Sequence, residues 1–261
     1  MHRQTHSKSA YWLLLCSVLM VLQACSSKKD ILYLQDLKDQ QQIALTYQTP
    51  TIQPNDILKI TVSSPVPEAA LPYNRLTGGT VAQNNLQVMQ LDGYLVAPEQ
   101  TITFPVLGTV STKGLTPSQL AANLEQRLTT GGHLTNPTVM VRLLNAKVTI
   151  LGEVKQPGTY TFTEQNITLL QALGYAGDLT INGKRDDVVL IRNQAGTQQV
   201  THIDLTHSAW LDGPYNTIKP NDVIVVNPND SKVKSAGFVG NAGTVLTIVS
   251  LALSTTILLT R

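Results

Sequence analysis

Cysteine is nearly missing from this chain, and so are the sequence patterns of common catalytic sites. The two cysteines, Cys16 and Cys25, both precede the part of the sequence that has a globular composition. A disulfide framework or a cysteine metal site in the folded region is therefore excluded. The sequence also contains no G-x-S-x-G, no P-loop and no pair of carboxylates at a recognisable spacing, so we do not predict an enzyme.

Aromatic and charged residues are also few, at 5% and 14% of the chain. Because no basic stripe with interleaved aromatics is present, nucleic acid is not an expected partner. Short runs of Val, Ile and Thr between Gly and Pro favour β-structure. The segment H-I-D-L-T-H places His202 and His207 around Asp204, but this spacing matches no zinc motif. We read it as a solvated edge strand and predict no metal and no cofactor.

Residues 1–24 have the pattern of a signal peptide. Arg3 and Lys8 precede an apolar run of about a dozen residues, which is too short to span a bilayer. L-Q-A-C follows, which is the lipobox pattern, so we expect cleavage before Cys25 and a diacylglycerol on its sulfur. An ordinary signal peptide or an N-terminal anchor is the alternative. Ser26, in place of Asp, favours sorting to the outer membrane. Cleavage would leave 17 of the 19 basic residues against 17 acids, a neutral chain.

At the other end, residues 235–260 carry no charge. As one helix they would be about 39 Å long, enough to cross a hydrocarbon core of about 30 Å. Small and hydroxyl residues fall on one arc of the helical wheel, which Leu251 and Leu258 interrupt. The arc consists of Gly240, Gly243, Thr244, Thr247, Ser250, Ser254 and Thr255. On the wheel alone, this face suits either helix packing or a water-filled lumen.

The region between the two ends divides into two blocks, and nearly the same phrase occurs in each. I-Q-P-N-D-I-L begins at Ile52, and I-K-P-N-D-V-I begins at Ile218. Because Pro fixes φ and Asn-Asp is favourable in turns, each phrase predicts a turn that leads into a strand. Two unrelated strand entries would also produce so short a match.

Each block also contains a helix with strong start signals. In the first block Thr116 is the expected N-cap, Pro117 the first helical residue, and Gln119 the partner in a capping box. In the second block Thr168 and Gln171 repeat the capping pattern. The first helix then has an apolar stripe formed by Leu120, Leu124 and Leu128. The other apolar segments predict strands, including one over residues 87–91, and residues 63–85 predict a long loop.

The order of these motifs resembles the outer-membrane polysaccharide export lipoproteins. L-D-G-Y-L, F-P-V-L-G and G-L-T followed by a helix are similar to the polysaccharide export sequence domain of that family. L-G-E-V-K-Q-P-G-T-Y, T-L-L-Q-A-L-G-Y-A-G and D-V-V-L-I-R resemble its soluble-ligand-binding β-grasp (SLBB) domain. The resemblance covers roughly residues 47–229. The sequence departs from the family pattern at two points. Asp178 stands where the second glycine of A-G-G is usual, and the chain has one β-grasp domain where long members have two or three.

The resemblance implies an α+β protein with two small mixed α/β domains, followed by a C-terminal transmembrane helix. The expected organisation is a signal peptide over 1–24, a lipidated linker over 25–46, an export domain over 47–145, an SLBB β-grasp domain over 146–230 and an amphipathic transmembrane helix over 235–260. The repeated phrase then opens the first domain and closes the second, as a structural device.

By the same resemblance, the expected function is export of capsular polysaccharide or exopolysaccharide. Family members form homo-oligomeric rings whose C-terminal helices build a pore, so the resemblance favours a lumen at the hydroxyl face. The implied partners are the polysaccharide, membrane lipid and an inner-membrane co-polymerase that regulates chain length. The implied location is the outer membrane of a Gram-negative bacterium, lipid-anchored, with most of the chain in the periplasm. The alternative is a lipid-anchored polysaccharide-binding or scaffolding module whose last helix is only an anchor.

Overall fold

The structure is a computed structural model of the chain. It describes residues 29, 31–40, 42, 49–75, 86–194, 196–236 and 242–260. The sequence predictions that lie wholly or partly outside the described residues are the signal peptide over 1–24, the lipidation site Cys25, part of the linker over 25–46, residues 76–85 of the predicted loop, and Gly240 of the hydroxyl face.

The first half of the described chain forms a small antiparallel sheet, a β-hairpin and one long helix. Its strands are β1 (Ile57–Ser63), β2 (Tyr94–Leu95), β3 (Thr101–Phe104), β4 (Gly108–Ser111) and β5 (Thr138–Leu143). Its helices are α1 (Pro67–Ala70), a 3-10 turn (Leu71–Tyr73), α2 (Leu86–Leu91) and α3 (Pro117–Thr130). The sheet order is β2-β1-β5, and β3 pairs with β4 as the hairpin.

Alternation along β1 decides which face of this sheet is buried. Leu58, Ile60 and Val62 point into the core, while Lys59 and Thr61 are exposed on the other face. Because side chains alternate with a period of two, one face of β1 packs and the other remains accessible. The leucine stripe of α3 packs into the same core, as predicted.

Both predicted capping boxes are confirmed. The Thr116 hydroxyl accepts a hydrogen bond from the Gln119 amide at 3.3 Å, and the Gln119 side chain accepts one from the Thr116 amide at 2.9 Å. The Thr168 and Gln171 pair makes the same reciprocal bonds, at 3.2 and 2.8 Å. Each box satisfies backbone donors that have no partner within the helix.

The second half of the described chain is built on a larger sheet. Its strands are β6 (Lys147–Gly152), β7 (Gly158–Thr161), β8 (Ile167–Thr168), β9 (Gly183–Gln194), β10 (Thr197–Ile203), β11 (Thr217–Ile218) and β12 (Val223–Pro228). Five of them form a sheet of order β10-β9-β12-β6-β7, and β8 pairs separately with β11. The helix is α4 (Leu169–Tyr175). Strand β12, which the second copy of the repeated phrase precedes, runs parallel to β6 and antiparallel to β9 in the middle of the sheet.

One glycine allows β6 and β12 to approach closely at the end of their pairing. Gly152 has φ +89°, and a Cβ added there would lie 2.0 Å from the carbonyl oxygen of Val226. No side chain fits that space, and the left-handed φ disfavours any L-residue. The glycine of the L-G-E-V motif is therefore required by packing in the second sheet.

The predicted strand over 87–91 is wrong, because these residues belong to α2. The segment satisfies its backbone hydrogen bonds within a short helix rather than at a sheet edge. The predicted loop over 63–85 also contains α1 and the 3-10 turn.

The described residues of the helix predicted over 235–260 lie in α5 (Asp230–Ala236) and α6 (Ala242–Thr260), and residues 237–241 are outside the description. The Asn229 side chain accepts a hydrogen bond from the Lys232 amide at 3.0 Å, which fixes an early helix start. Seven of the 19 residues of α6 carry a hydroxyl. Among the helices that the structure describes, none has both the length and the apolarity to cross a membrane, so the predicted transmembrane helix is not found there.

Candidate functional site

The repeated phrase forms the same turn twice. Asn55 and Asn221 both have a left-handed backbone, with φ of 70° and 68°. In each copy the amide of the following aspartate, Asp56 or Asp222, donates to the carbonyl of the residue before proline, at 3.2 and 3.1 Å. The aspartate Oδ2 then accepts a hydrogen bond from that residue's own amide, at 2.8 Å in both copies. Pro-Asn is therefore suited to the central positions of the turn, and Asp locks it.

The two aspartates differ in what else they contact. Arg192 on β9 binds Asp222 through two nitrogens, with Nη2 2.7 Å from Oδ2 and Nε 3.0 Å from Oδ1. Arg192 Nη2 also donates to the carbonyl of Thr217 at 2.8 Å. Burial raises the pKa of Asp222, and the guanidinium of Arg192 opposes this rise. In the second domain the turn is thus fixed to the sheet by a buried ion pair.

Asp56 has no such partner. Its side chain is 3% exposed, yet no cation of the described residues lies within ion-pair distance of it. Only Oδ2 is used, by the Gln53 amide, so within the described part of the chain Oδ1 accepts no hydrogen bond. Burial raises the pKa of Asp56 to about 6, against the opposing effect of the Gln53 amide. The first turn therefore holds a nearly buried carboxyl with unused hydrogen-bonding capacity.

Asp56 lies in the wall of a cleft of about 880 Å³ between the two halves of the chain. The first half contributes the Asp56 turn and the exposed face of β1 and β5, with Met140 on the floor. The second half contributes residues 162–165, Asn193 and the Lys219–Pro220 part of the other turn. The volume is within the range of about 300–1,000 Å³ that is typical of ligand sites. The two copies of the repeated phrase therefore face one cavity.

Two cations lie directly opposite each other on the wall of this cleft. Lys59 on β1 is the cross-strand partner of Arg142 on β5, and both are exposed. Neither makes an ion pair with any described residue. Like charges directly opposite on a sheet are destabilising, so this pair suits an external anion. Lys219 is a third cation in the lining, and burial together with Arg192 lowers its pKa. The acids in the lining are Asp56 and Glu164.

A short N-terminal segment is bound to the second domain. Leu34 donates its amide to the Leu205 carbonyl at 3.1 Å, and the Tyr33 hydroxyl donates to Asp178 Oδ1 at 2.6 Å. The guanidinium of Arg185 lies 5.1 Å from the centre of the Tyr33 ring. Burial and the Asp178 carboxylate raise the pKa of Tyr33. Asp178, which departs from the family pattern, thus has a partner that the sequence did not reveal.

The described residues of the predicted hydroxyl face lie in α6, but exposure does not separate that face from the apolar side. Gly243, Thr247, Ser250, Ser254 and Thr255 are all exposed. So are the apolar residues between them: Leu246, Ile248, Val249, Leu251 and Leu253. The side chain of Thr244 is outside the description. The hydroxyls of Thr247 and Thr255 donate to helix carbonyls four residues earlier, at 2.6 and 2.9 Å.

The histidines of the H-I-D-L-T-H segment belong to separate pairs. His202 contacts Asp187 on the neighbouring strand, whereas His207 contacts Asp204 at 2.9 Å. Within the described ranges no three His, Cys, Asp or Glu side chains form a group that could hold a metal ion. The segment is thus partly the exposed end of β10 and partly a turn.

Sequence reasoning did not identify the cleft. The repeated P-N-D phrase was the available signal for Asp56, but it indicated only a turn. The opposition of Lys59 and Arg142 has no local signal, because it depends on the register of two strands distant in sequence.

Comparison with known proteins agrees with this two-part architecture. The sequence model described as polysaccharide biosynthesis/export protein matches residues 45–144, and the SLBB domain model matches residues 147–203. The chain is similar to the EPS I polysaccharide export outer membrane protein EpsA of Ralstonia solanacearum, with 26% identity over 197 residues, 73% of this chain and 51% of the relative. The protein of the same name from Ralstonia nicotianae is 28% identical over 161 residues, 60% of this chain and 41% of the relative.

Two mixed α/β units in series, an export domain and an SLBB domain, therefore define the class of this protein. The chain belongs to the polysaccharide biosynthesis/export family, whose domain is followed here by an SLBB domain. It spans about half the length of the curated relatives that it matches.

Proposed function

We propose that this chain takes part in the export of a capsular polysaccharide or exopolysaccharide at the outer membrane of a Gram-negative bacterium. The observation that carries the proposal is the presence of the export domain and the SLBB domain in that order on one chain. Both relatives are named as polysaccharide export outer membrane proteins, which supports the same substrate class and location here. The proposal assigns no catalytic step to the chain.

In this proposal, several copies assemble into a ring that conducts the polymer from the periplasm toward the cell surface. Cys25 supplies the lipid anchor, most of the chain is periplasmic, and an inner-membrane co-polymerase delivers the polymer. The exposed apolar residues of α6 support assembly, because a helix with this much uncovered apolar surface needs a neighbour. The face with Gly243, Thr247, Ser250 and Ser254 would then be turned to a shared lumen.

Complementation tests the export role. A strain without the gene should lose surface polysaccharide, and the wild-type chain should restore it. The Cys25→Ser variant should restore little, because it lacks the sulfur that carries the lipid. Unchanged surface polysaccharide in the deletion strain would contradict the proposed function.

Cysteine labelling in intact cells tests the lumen. Apart from Cys25, the chain after residue 24 has no cysteine, so single introduced thiols report cleanly. A membrane-impermeant thiol reagent should label the hydroxyl-face variants Thr247→Cys, Ser250→Cys and Ser254→Cys. It should leave unlabelled the apolar-face variants Ile248→Cys, Val249→Cys and Leu253→Cys. Protection of both sets would instead support a scaffolding module with an anchoring helix.

A further inference from the structure

We propose that the cleft between the two domains binds a short segment of an acidic polysaccharide, with a sugar carboxylate at Lys59 and Arg142 and a sugar hydroxyl at Asp56. This inference rests on the proposed function, because it names the substrate class and a place where the chain holds it.

The Lys59–Arg142 pair selects the acidic group. The two side chains are directly opposite on the exposed face of the sheet, and within the described residues neither has an anionic partner. An incoming carboxylate would relieve their mutual repulsion and accept charge-assisted hydrogen bonds from both. Of the five charged residues in the lining, three are cations, so the cleft favours an anion overall.

Asp56 selects a hydroxyl donor. The carboxyl is 3% exposed and in the cleft wall, and its Oδ1 accepts no hydrogen bond from any described residue. Among the described residues, Oδ1 is not one of the fully buried side-chain atoms that lack a partner, so it retains access to solvent and a ligand hydroxyl can donate to it. Asp56 precedes Lys59 by three residues, which is about 10 Å along an extended strand. A ligand must therefore carry an acid and a hydroxyl some distance apart, as an acidic oligosaccharide does.

The rest of the lining agrees with a sugar better than with an acidic peptide. The side-chain amides of Gln165 and Asn193 line the cleft and offer donors and acceptors for hydroxyl groups, whereas the Gln53 side-chain nitrogen already donates to Thr51 and only its oxygen is offered. Met140 is exposed on the floor and offers an apolar surface to the C–H face of a sugar ring. An acidic peptide would also satisfy the cations and could donate a backbone amide to Asp56, so the comparison with pentaglutamate below separates the two ligand classes.

Calorimetric titration of the full-length chain in detergent tests the proposal, with trigalacturonate as the acidic probe and maltotriose as the neutral one. Trigalacturonate should bind, and the double substitution Lys59→Gln with Arg142→Gln should weaken it by about tenfold or more. Asp56→Asn should weaken binding roughly fivefold. The control is the double variant Lys113→Gln with Arg127→Gln, which removes two exposed cations of the same domain outside the cleft. Its affinity for trigalacturonate should equal that of the wild-type chain.

The proposal would be overturned by no binding of trigalacturonate, by equal binding of maltotriose, or by the same affinity in the Lys59 and Arg142 variant as in its control. Pentaglutamate bound as tightly as trigalacturonate would also overturn it, in favour of an acidic peptide partner. Because Lys59 and Arg142 are exposed, their variant tests the proposal even if Asp56→Asn does not fold. If the wild-type chain restores export in the deletion strain but does not bind trigalacturonate, only the cleft proposal is rejected. If the wild-type chain does not restore export, the proposed export function is rejected.

Discussion

At the scale of single residues, Asp56 and Asp222 occupy the same position in the same turn but in different electrostatic surroundings. Asp222 is matched by Arg192, whereas Asp56 is buried without a cation among the described residues. A repeated phrase therefore predicts the backbone of both turns, while the tertiary environment decides the charge state. This difference leads to a measurable dependence of stability on pH.

Asp56 should make the folded state less stable as the pH rises. Its folded-state pKa of about 6 lies above the ordinary value of 3.8, so the folded chain binds this proton more tightly than the unfolded chain. The stabilising effect of the proton is complete below the unfolded pKa and is lost as the pH rises through about 6. The loss is about 2–3 kcal/mol by neutral pH. Urea unfolding of Asp56→Asn across this range should lack that loss.

The exposed acid Glu99 provides the control for this experiment, because Glu99→Gln removes a carboxylate from the same domain without a buried site. Its unfolding free energy should follow the wild-type pH profile. If Asp56→Asn also followed that profile, the carboxyl would have the same protonation behaviour in the folded and unfolded chains, contrary to its burial.

Tyr33 and Asp178 should be energetically coupled, because the Tyr33 hydroxyl donates to the Asp178 carboxylate at 2.6 Å. Tyr33→Phe removes the donor, and Asp178→Gly removes the acceptor while relaxing a backbone with φ 73°. A double-mutant cycle followed by urea unfolding should give a coupling of about 1–2 kcal/mol. Strict additivity of the two substitutions would show that the N-terminal segment does not use this bond in solution.

At the scale of elements, the capping box at the start of α3 should contribute measurably to the stability of the first domain. Thr116→Ala removes the hydroxyl that accepts a hydrogen bond from the Gln119 amide. The substitution should lower the unfolding free energy by about 1 kcal/mol. Thr116→Ser keeps the acceptor and should be nearly neutral. Urea unfolding followed by far-ultraviolet circular dichroism measures both. Equal losses for Ala and Ser would mean that the methyl group, and not the cap, stabilises the helix start.

The elements that sequence predicted well are those whose signals are local. The capping residues, the leucine stripe of α3 and the alternation of β1 each follow from neighbours within a few positions. The failures depend on distant partners. Residues 87–91 form α2 rather than the predicted strand, and the Lys59–Arg142 pair depends on the register of β1 against β5. The start of α5 at Asp230 was also missed, because the prediction rested on the uncharged composition of residues 235–260.

At the scale of the whole molecule, the buried apolar residues form two separate clusters, one in each half of the chain. Leu143, at the end of β5, is partly buried and packs against both. Four hydrogen bonds of the described residues involve Leu144 and Asn145, which follow β5. Asn145 accepts from the Ile57 amide at 2.9 Å and donates to the Asn55 carbonyl at 2.9 Å. Leu144 donates to the Ile57 carbonyl at 2.8 Å and accepts from the Gln90 side chain at 3.0 Å. Two cores with so narrow a connection should unfold as separate cooperative units.

Substitutions in one core should therefore leave the unfolding of the other unchanged. Trp210 is buried in the second core, and the other tryptophan, Trp12, lies in the predicted signal peptide, so fluorescence of the processed chain reports the second domain. Arg192→Gln breaks the buried ion pair with Asp222. It should lower the unfolding free energy of the second domain, followed by Trp210 fluorescence, by about 3–5 kcal/mol. Leu124→Ala should cost about 2–5 kcal/mol in the first core without moving the Trp210 transition. If Leu124→Ala shifted the Trp210 fluorescence midpoint as far as Arg192→Gln does, the two domains would unfold as one unit, and the cleft between them would have fixed walls.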